Sequence, residues 1–184
     1  IIDDDGYTTL DRFKNRPNVS ANIVPYGVGE IDGEVVNFRV NKHSLSSSVL
    51  PGSSLTGHNN PDYDWCDDWA ENTALDTTFE ATLRSIDALV ASGEVPSPDF
   101  LSMDIQGLEL AAMRGGSSAL AQTVLGIVTE SEFAEIYEGQ GLFHQQAKFL
   151  ESAGFRLVDF ETRQDWFFGP AVGKGFLTVV ESLF

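Results

Sequence analysis

Residues 100–109 read Phe-Leu-Ser-Met-Asp-Ile-Gln-Gly-Leu-Glu. An apolar run ends in Asp104, Gly107 supplies a turn, and Leu108 opens a stretch with helical spacing that continues to Leu120. A buried strand that ends in an acid and turns on a glycine into a helix places that acid at the carboxyl edge of a sheet. In open α/β sheets, ligands bind in the crevice beyond this edge. Asp104 is therefore the first functional candidate. Glu109, in the first helical turn, complements the helix macrodipole, so a structural role accounts for it at least as well as a catalytic one.

Downstream, residues 125–129 form the next expected strand, which runs into Thr129-Glu130-Ser131-Glu132-Phe133 and delivers acids to the same edge. Glu130 and Glu132 can then face Asp104, either to orient a hydroxylated acceptor or to bind a metal. Solvation in a loop is the plain alternative, and for Glu132 it weighs evenly. Residues 143–152 form an amphipathic helix, with Phe143, Ala147 and Leu150 on one face and Gly154 past its end. Strands at 155–160 and 176–180 follow.

Upstream, residues 79–86 suit a strand and 87–92 a short helix ending at Gly93. Strands at 21–28 and 34–40 flank Asp32-Gly33, a hairpin signal that predicts two antiparallel edge strands. Ile1-Ile2 ends a strand, and residues 7–13 are helical. Between the 34–40 and 79–86 strands, residues 43–78 are rich in Ser, Gly, Asn, Asp and Trp, which predicts a surface insertion or lid. Trp65, Trp69 and Tyr63 in that lid can cap an acceptor pocket, whereas its Asp residues read as solvated. The alternation predicts a mostly parallel sheet covered on both faces, with a final pair that can run antiparallel.

The 184 residues, 42% of them hydrophobic, are enough for one globular domain. A formal net charge of −17 repels phosphate backbones and anionic lipids, so neither nucleic acid nor a membrane is an expected partner. The single Cys66 excludes an internal disulfide and leaves too few thiolates for a structural zinc site, which fits a cytoplasmic location. No apolar run approaches the ~20 residues needed to cross a bilayer. His43, His58 and His144 show no metal-ligand spacing, and no metal site is expected. His144 lies nearest the proposed crevice and is a candidate base.

The series Pro98 to Glu109, then Gly115-Gly116, Thr129 to Phe133, Tyr137, Gly139-Gln140, Phe143, Phe149-Leu150 and Gly154-Phe155 resembles FkbM-type methyltransferases over most of residues 82–160. Leu83 to Leu89 resembles the segment before that signature, and Ser46-Ser47-Ser48 the family's serine pair, which makes Ser47 a cofactor contact. Gln106 stands where the family usually has an acid, and Leu108 where it has a small residue. The resemblance implies a Rossmann-like class I sheet. It also implies methyl transfer from S-adenosyl-L-methionine to an oxygen of a small molecule or sugar, with Asp104, Glu130 and His144 as catalytic candidates. Asp104 also borders the cofactor, and Glu130, Glu132 and Trp65 meet the acceptor.

The family pattern opens with a strand and a glycine-rich turn, then a second strand ending in an acid for the ribose hydroxyls. This sequence reads as beginning at the second strand, with Asp3 as the ribose acid. The first strand and glycine loop are then missing, and residues 1–184 are one N-terminally incomplete domain. Gly27 and Gly29 follow a later strand and suit a turn on the adenine side. A sheet without its central strand leaves unpaired edges, which upstream sequence or a second copy of the chain can fill. Two other readings stand beside this one. The first is a non-catalytic interaction domain that has lost cofactor binding. The second is a nucleotide-sugar enzyme using Asp3.

Overall fold

The computed structural model describes residues 16–53, 69–167 and 176–184. The expected first strand, the 7–13 helix, Asp3, Tyr63 and Trp65 lie outside the described residues.

Among the described residues, seven strands form two sheets. In the first, β1 (Gly27–Val28) runs parallel to β3 (Leu75–Arg84), and β2 (Val35–Asn41) runs antiparallel to β3 on its other side. Phe38 and Phe79 sit directly opposite each other, with ring centroids 5.4 Å apart. The expected hairpin between β1 and β2 is therefore corrected: β3 lies between them. The turn itself is present, with Gly33 at φ +78, but it donates its N–H to Leu83 O at 2.9 Å and carries the chain past the end of β3. A turn motif specifies a reversal, and here the pairing partner comes from much later in the chain.

Of the expected lid at 43–78, residues 54–68 lie outside the described residues, and the described ends pack into the fold. Ser46, Ser47, Ser48 and Ser53 are buried, and Leu75 to Thr78 form the first half of β3. After β3, Ser85 caps α1 (Ile86–Ala91) by accepting the Ala88 N–H at 3.1 Å.

The second sheet has the order β4-β5-β7-β6: β4 (Phe100–Met103), β5 (Gly126–Glu132), β6 (Asp159–Phe167) and β7 (Phe176–Leu183). β4 and β5 are parallel, and β7 is antiparallel to both β5 and β6. Three strands thus point one way, with β7 reversed between two of them. The expectation of a mostly parallel sheet is corrected to two mixed sheets, because only β1–β3 and β4–β5 pair in parallel. The antiparallel strand near the carboxyl terminus is present.

The expected helix at 108–120 is two helices, α2 (Glu109–Gly115) and α3 (Ser117–Gln122). The break has a packing cause. A Cβ at Gly115 would come within 2.2 Å of Gly29 O, and one at Gly116 within 3.1 Å of Ile86. The glycine pair lets the chain leaving β1 and the start of α1 press against one helical turn. α4 (Phe143–Ser152) follows β5. Met103, Met113, Ile127, Leu150 and Phe184 form the core between the helices and one face of the second sheet. Phe100, on the opposite face, is 53% exposed.

Candidate functional site

Strand register places the acids. Met103 pairs with Thr129 in the parallel β4–β5 ladder, so Asp104, the first residue past β4, stands beside Glu130, which is still within β5 and pairs with Glu181 of β7. Side chains alternate along β5. Ile127, Thr129 and Ser131 are fully buried, with Ile127 in the helix-facing core, and Glu130 and Glu132 share the other face. The Asp104 and Glu130 carboxyl groups come within hydrogen-bonding reach of each other. Asp104 is exposed and Glu130 half-buried.

Glu132 and Glu109 are fully buried. Glu109 folds back over its own turn, where Oε1 accepts the Ile105 N–H at 2.8 Å and the Gly107 N–H at 3.3 Å. It anchors the loop that carries Asp104. Glu132 accepts a hydrogen bond from Gln140 Nε2 at 2.7 Å, and Gln140 Oε1 in turn accepts the Ile136 and Tyr137 N–H groups at 2.7 and 2.6 Å. One oxygen of each of Glu109, Glu130 and Glu132 is buried with no hydrogen-bond partner among the described residues.

Burial pushes the Glu130 carboxyl up to about 8, with further upward pressure from Asp104, Glu109 and Glu181. Burial pushes Glu132 up to about 9, reinforced by Glu109, Glu130 and Asp104 and opposed by the Gln140 amide. Glu109 is also raised by burial, against the pull of its backbone N–H donors. Burial and the same acids move the Tyr137 hydroxyl well above its usual range. None of these causes is a cation, so the cluster keeps protons where isolated carboxylates would have lost them.

A strap from the first half of the chain closes over the turn. Ser48 Oγ donates to Gln106 O at 2.6 Å, and the Ser53 N–H donates to Ile136 O at 2.8 Å. The Tyr137 hydroxyl faces Ser46 O at 3.0 Å and Gln106 Oε1 at 2.7 Å, and its ring meets Trp69 edge-on with centroids 5.5 Å apart. Gln106 Nε2 donates to Asp104 Oδ1.

Residues 9–157 match the methyltransferase FkbM domain. The chain belongs to the FkbM methyltransferase family. No curated protein and no solved structure matches it. The FkbM match runs from ahead of β1 through α4 and takes in both the strap and the acids of β4 and β5. Glu181 on β7 lies beyond it. No helix among the described residues is long and apolar enough to cross a membrane.

Of the site residues expected in this FkbM domain, Asp104, Glu130 and Glu132 come together. Ser47, in the strap itself, is buried, and its hydroxyl accepts the Asn41 N–H at 3.0 Å. Gly27 pairs with Leu83 in β1. Gly29, two residues on, meets α2 at Gly115, the end of that helix away from the Asp104 turn. His144 is exposed at the start of α4 and lines, with Arg114 and Glu135, a cavity of about 340 Å³ that also meets Gly107, Leu108 and Gln140 but none of Asp104, Glu130 and Glu132. Asp3 and Trp65 are outside the described residues. No three His, Cys, Asp or Glu among the described residues are arranged to hold a metal ion.

Sequence reasoning noted Gln106 and Gln140 only as part of the family resemblance and passed over Gln146, and it gave none of the three the role of supplying an amide group here. Gln146 accepts from Ser131 Oγ at 2.9 Å and donates to Glu130 O and Gly141 O at 3.3 and 3.1 Å. Its signal was available, because Phe143, Gln146, Ala147 and Leu150 fall at apolar-stripe spacing and a polar residue there implies a buried polar partner.

Proposed function

We propose that this domain transfers a methyl group from S-adenosyl-L-methionine to a hydroxyl of a small molecule or sugar, with the Asp104–Glu130 pair receiving the hydroxyl proton. The observation that carries this reading is the Met103–Thr129 register, which brings both carboxyl groups to one carboxyl edge. Asp104, the exposed acid of a cluster with no cation among the groups acting on Glu130 and Glu132, suits a cationic ligand. The cofactor, when bound, supplies a methyl group on a positively charged sulfonium. Asp104 is the exposed member of the pair and borders both cofactor and acceptor.

In-line transfer forms an oxygen–carbon bond and breaks a carbon–sulfur bond. The acceptor oxygen becomes strongly acidic as its bond to carbon forms, so a carboxylate suffices to take its proton, and alignment supplies much of the acceleration. Asp104 takes that proton, and the protonated Glu130 beside it holds it in place by a hydrogen bond. The net charge of −17 disfavours nucleic acid and anionic membranes as partners, and a small molecule or sugar is the acceptor class that the FkbM resemblance implies. The lone Cys66 suits the reducing cytoplasm, and a homo-oligomer is compatible with this reading.

Calorimetric titration of S-adenosylhomocysteine into the full chain tests the cofactor, with saturable heat expected below millimolar ligand. Silence up to millimolar concentration counts against it. Binding of a nicotinamide cofactor instead would replace the reading with that of a different enzyme class.

A further inference from the structure

The cavity of about 340 Å³ beyond the Gly107 turn has walls that are fixed in the free protein. Gln140, in one wall, is buried and tied on both ends of its amide: Oε1 accepts the Ile136 and Tyr137 N–H groups, and Nε2 donates to Glu132. Glu135 Oε2 accepts the Gly139 N–H at 3.1 Å. Gly141 lies so close to α2 that a Cβ there would collide with Leu110. The loop from Glu135 to Leu142 is thus held against α2. The space it leaves is preformed and of a size that small ligands occupy.

The chemistry of that space is mixed. Leu50, Leu108 and Leu142 supply apolar surface, and Arg114 and His144 supply N–H donors. Arg114 Nη1 meets Glu30 Oε2 at 3.4 Å, but both side chains are about half exposed, so solvent screens the pair and it contributes little. A guanidinium carries five N–H donors in a planar fork that matches a carboxylate, and this contact leaves most of that fork for a ligand. Glu135 brings one negative charge to the opposite side of the balance. One fixed cation with one acid suits a ligand of single negative charge and disfavours a dianion. The net charge of −17 does not override this, because the screening length at physiological ionic strength is about 8 Å and the nearest charges decide.

We propose that this cavity is a binding site, separate from the Asp104–Glu130 edge, for a small molecule that carries one carboxylate on an apolar body. Arg114 holds the carboxylate and the leucines hold the body. Seating such a ligand requires neither cofactor nor Asp104, so the site stands apart from the methyl-transfer reading.

Hexanoate is the probe, and proton–nitrogen NMR of the full chain, without cofactor or acceptor and at matched ionic strength, reads where it binds. Saturable shifts should centre on Gly139, Gly141 and Leu142 and on the Arg114 side-chain N–H. Hexanamide, which lacks the charge, and pentyl phosphate, a dianion at pH 8, should each bind more weakly. Arg114→Met keeps the stem, removes the fork and should weaken hexanoate by about tenfold or more. Ala111→Leu fills the cavity, leaves Arg114 in place and should abolish the shifts. Arg84→Met, which removes an arginine elsewhere, should leave them unchanged. Hexanamide binding as tightly as hexanoate overturns the proposal, and so does pentyl phosphate binding more tightly or an affinity unchanged in Arg114→Met. Absence of saturable shifts up to about 100 mM hexanoate, well above the Kd expected for a ligand of about eight heavy atoms, overturns it equally. Because no cofactor takes part, failure of S-adenosylhomocysteine to bind removes the methyl-transfer reading and leaves each of these outcomes decisive.

Discussion

Asp32 and Glu130 are both carboxylates beside another ionisable group, and they differ in the sign of that neighbour. Asp32 accepts from Arg84 Nε at 2.7 Å and from the Ser85 N–H at 3.1 Å, and Arg84 also meets Glu94 at 2.9 Å. The Arg84 hydrogen bond is the main force holding Asp32 below its ordinary range, and Glu94 is lowered chiefly by Ser92 and then by Arg84. This cluster ties the turn after β1 to the junction of β3 and α1, at the surface and with its charges matched. At the carboxyl edge of β4 and β5, by contrast, the acids face one another, burial raises them and no cation compensates. Matched surface charge serves to fasten the chain, whereas unmatched buried charge is costly and is usually kept for chemistry.

The largest expected effect tests the chemical half of that contrast. Asp104→Asn should lower kcat by about 10²–10⁴-fold, the usual contribution of a positioned proton acceptor, while S-adenosylhomocysteine affinity changes far less. Glu130→Gln keeps a donor beside Asp104 and should cost less than about tenfold. Equal losses in the two variants would remove the division of labour within the pair.

Stability against pH gives the next effect. Glu130 and Glu132 have folded values raised above the unfolded one, so their contribution is fully present below pH 4.5 and fades as pH rises toward about 8 and 9. Denaturant unfolding measured from pH 5 to 9 should show stability falling. Glu132→Gln, which has no carboxyl to ionise on unfolding, should flatten that slope and be the more stable protein at pH 8 by a few kcal/mol, at about 1.4 kcal/mol per unit. A slope unchanged in this variant would mean that Glu132 is not buried as a neutral acid. A smaller loss follows from the turn itself. Gly107→Ala forces a side chain into φ +96, with its Cβ about 3.2 Å from Leu50 and Tyr137, and should cost about 1–3 kcal/mol in the same measurement.

The two clusters were not equally legible in the sequence. Asp104 could be placed from local pattern alone, because apolar residues, acid, glycine and helix follow one another within ten positions and strand register does the rest. Glu130 and Glu132 followed by the same rule one strand later. The burial of Glu109 and Glu132 was hidden, because it depends on the strap around Ser48 and on the Gln140 loop, which reach the acids from other parts of the chain. The Arg84 cluster was invisible for a related reason. Asp32-Gly33 signals a reversal wherever it occurs, but nothing near it announces that β3 will come between the two flanking strands and bring Arg84 to Asp32. Periodicity encodes which face a residue takes. It does not encode which distant segment covers that face.

The smallest effect tests whether the two clusters are independent. Asp32 and Glu94 have lowered folded values, so what they contribute is present above their unfolded values and is lost as pH falls through the folded ones, the reverse of the buried acids. Arg84→Met keeps a long apolar stem and removes the charge that both carboxylates meet. It should lower the unfolding midpoint slightly at neutral pH, because solvent screens exposed pairs, and less again in high salt. It should also blunt the decline in stability on the acid side, below about pH 4, where these carboxylates titrate. The slope between pH 5 and 9 should stay as in the wild type, since nothing that raises Glu130 or Glu132 involves Arg84. If that slope moves with Arg84, the fastening of β3 is transmitted to the acid edge through α1 and α2, and the two regions form one electrostatic unit.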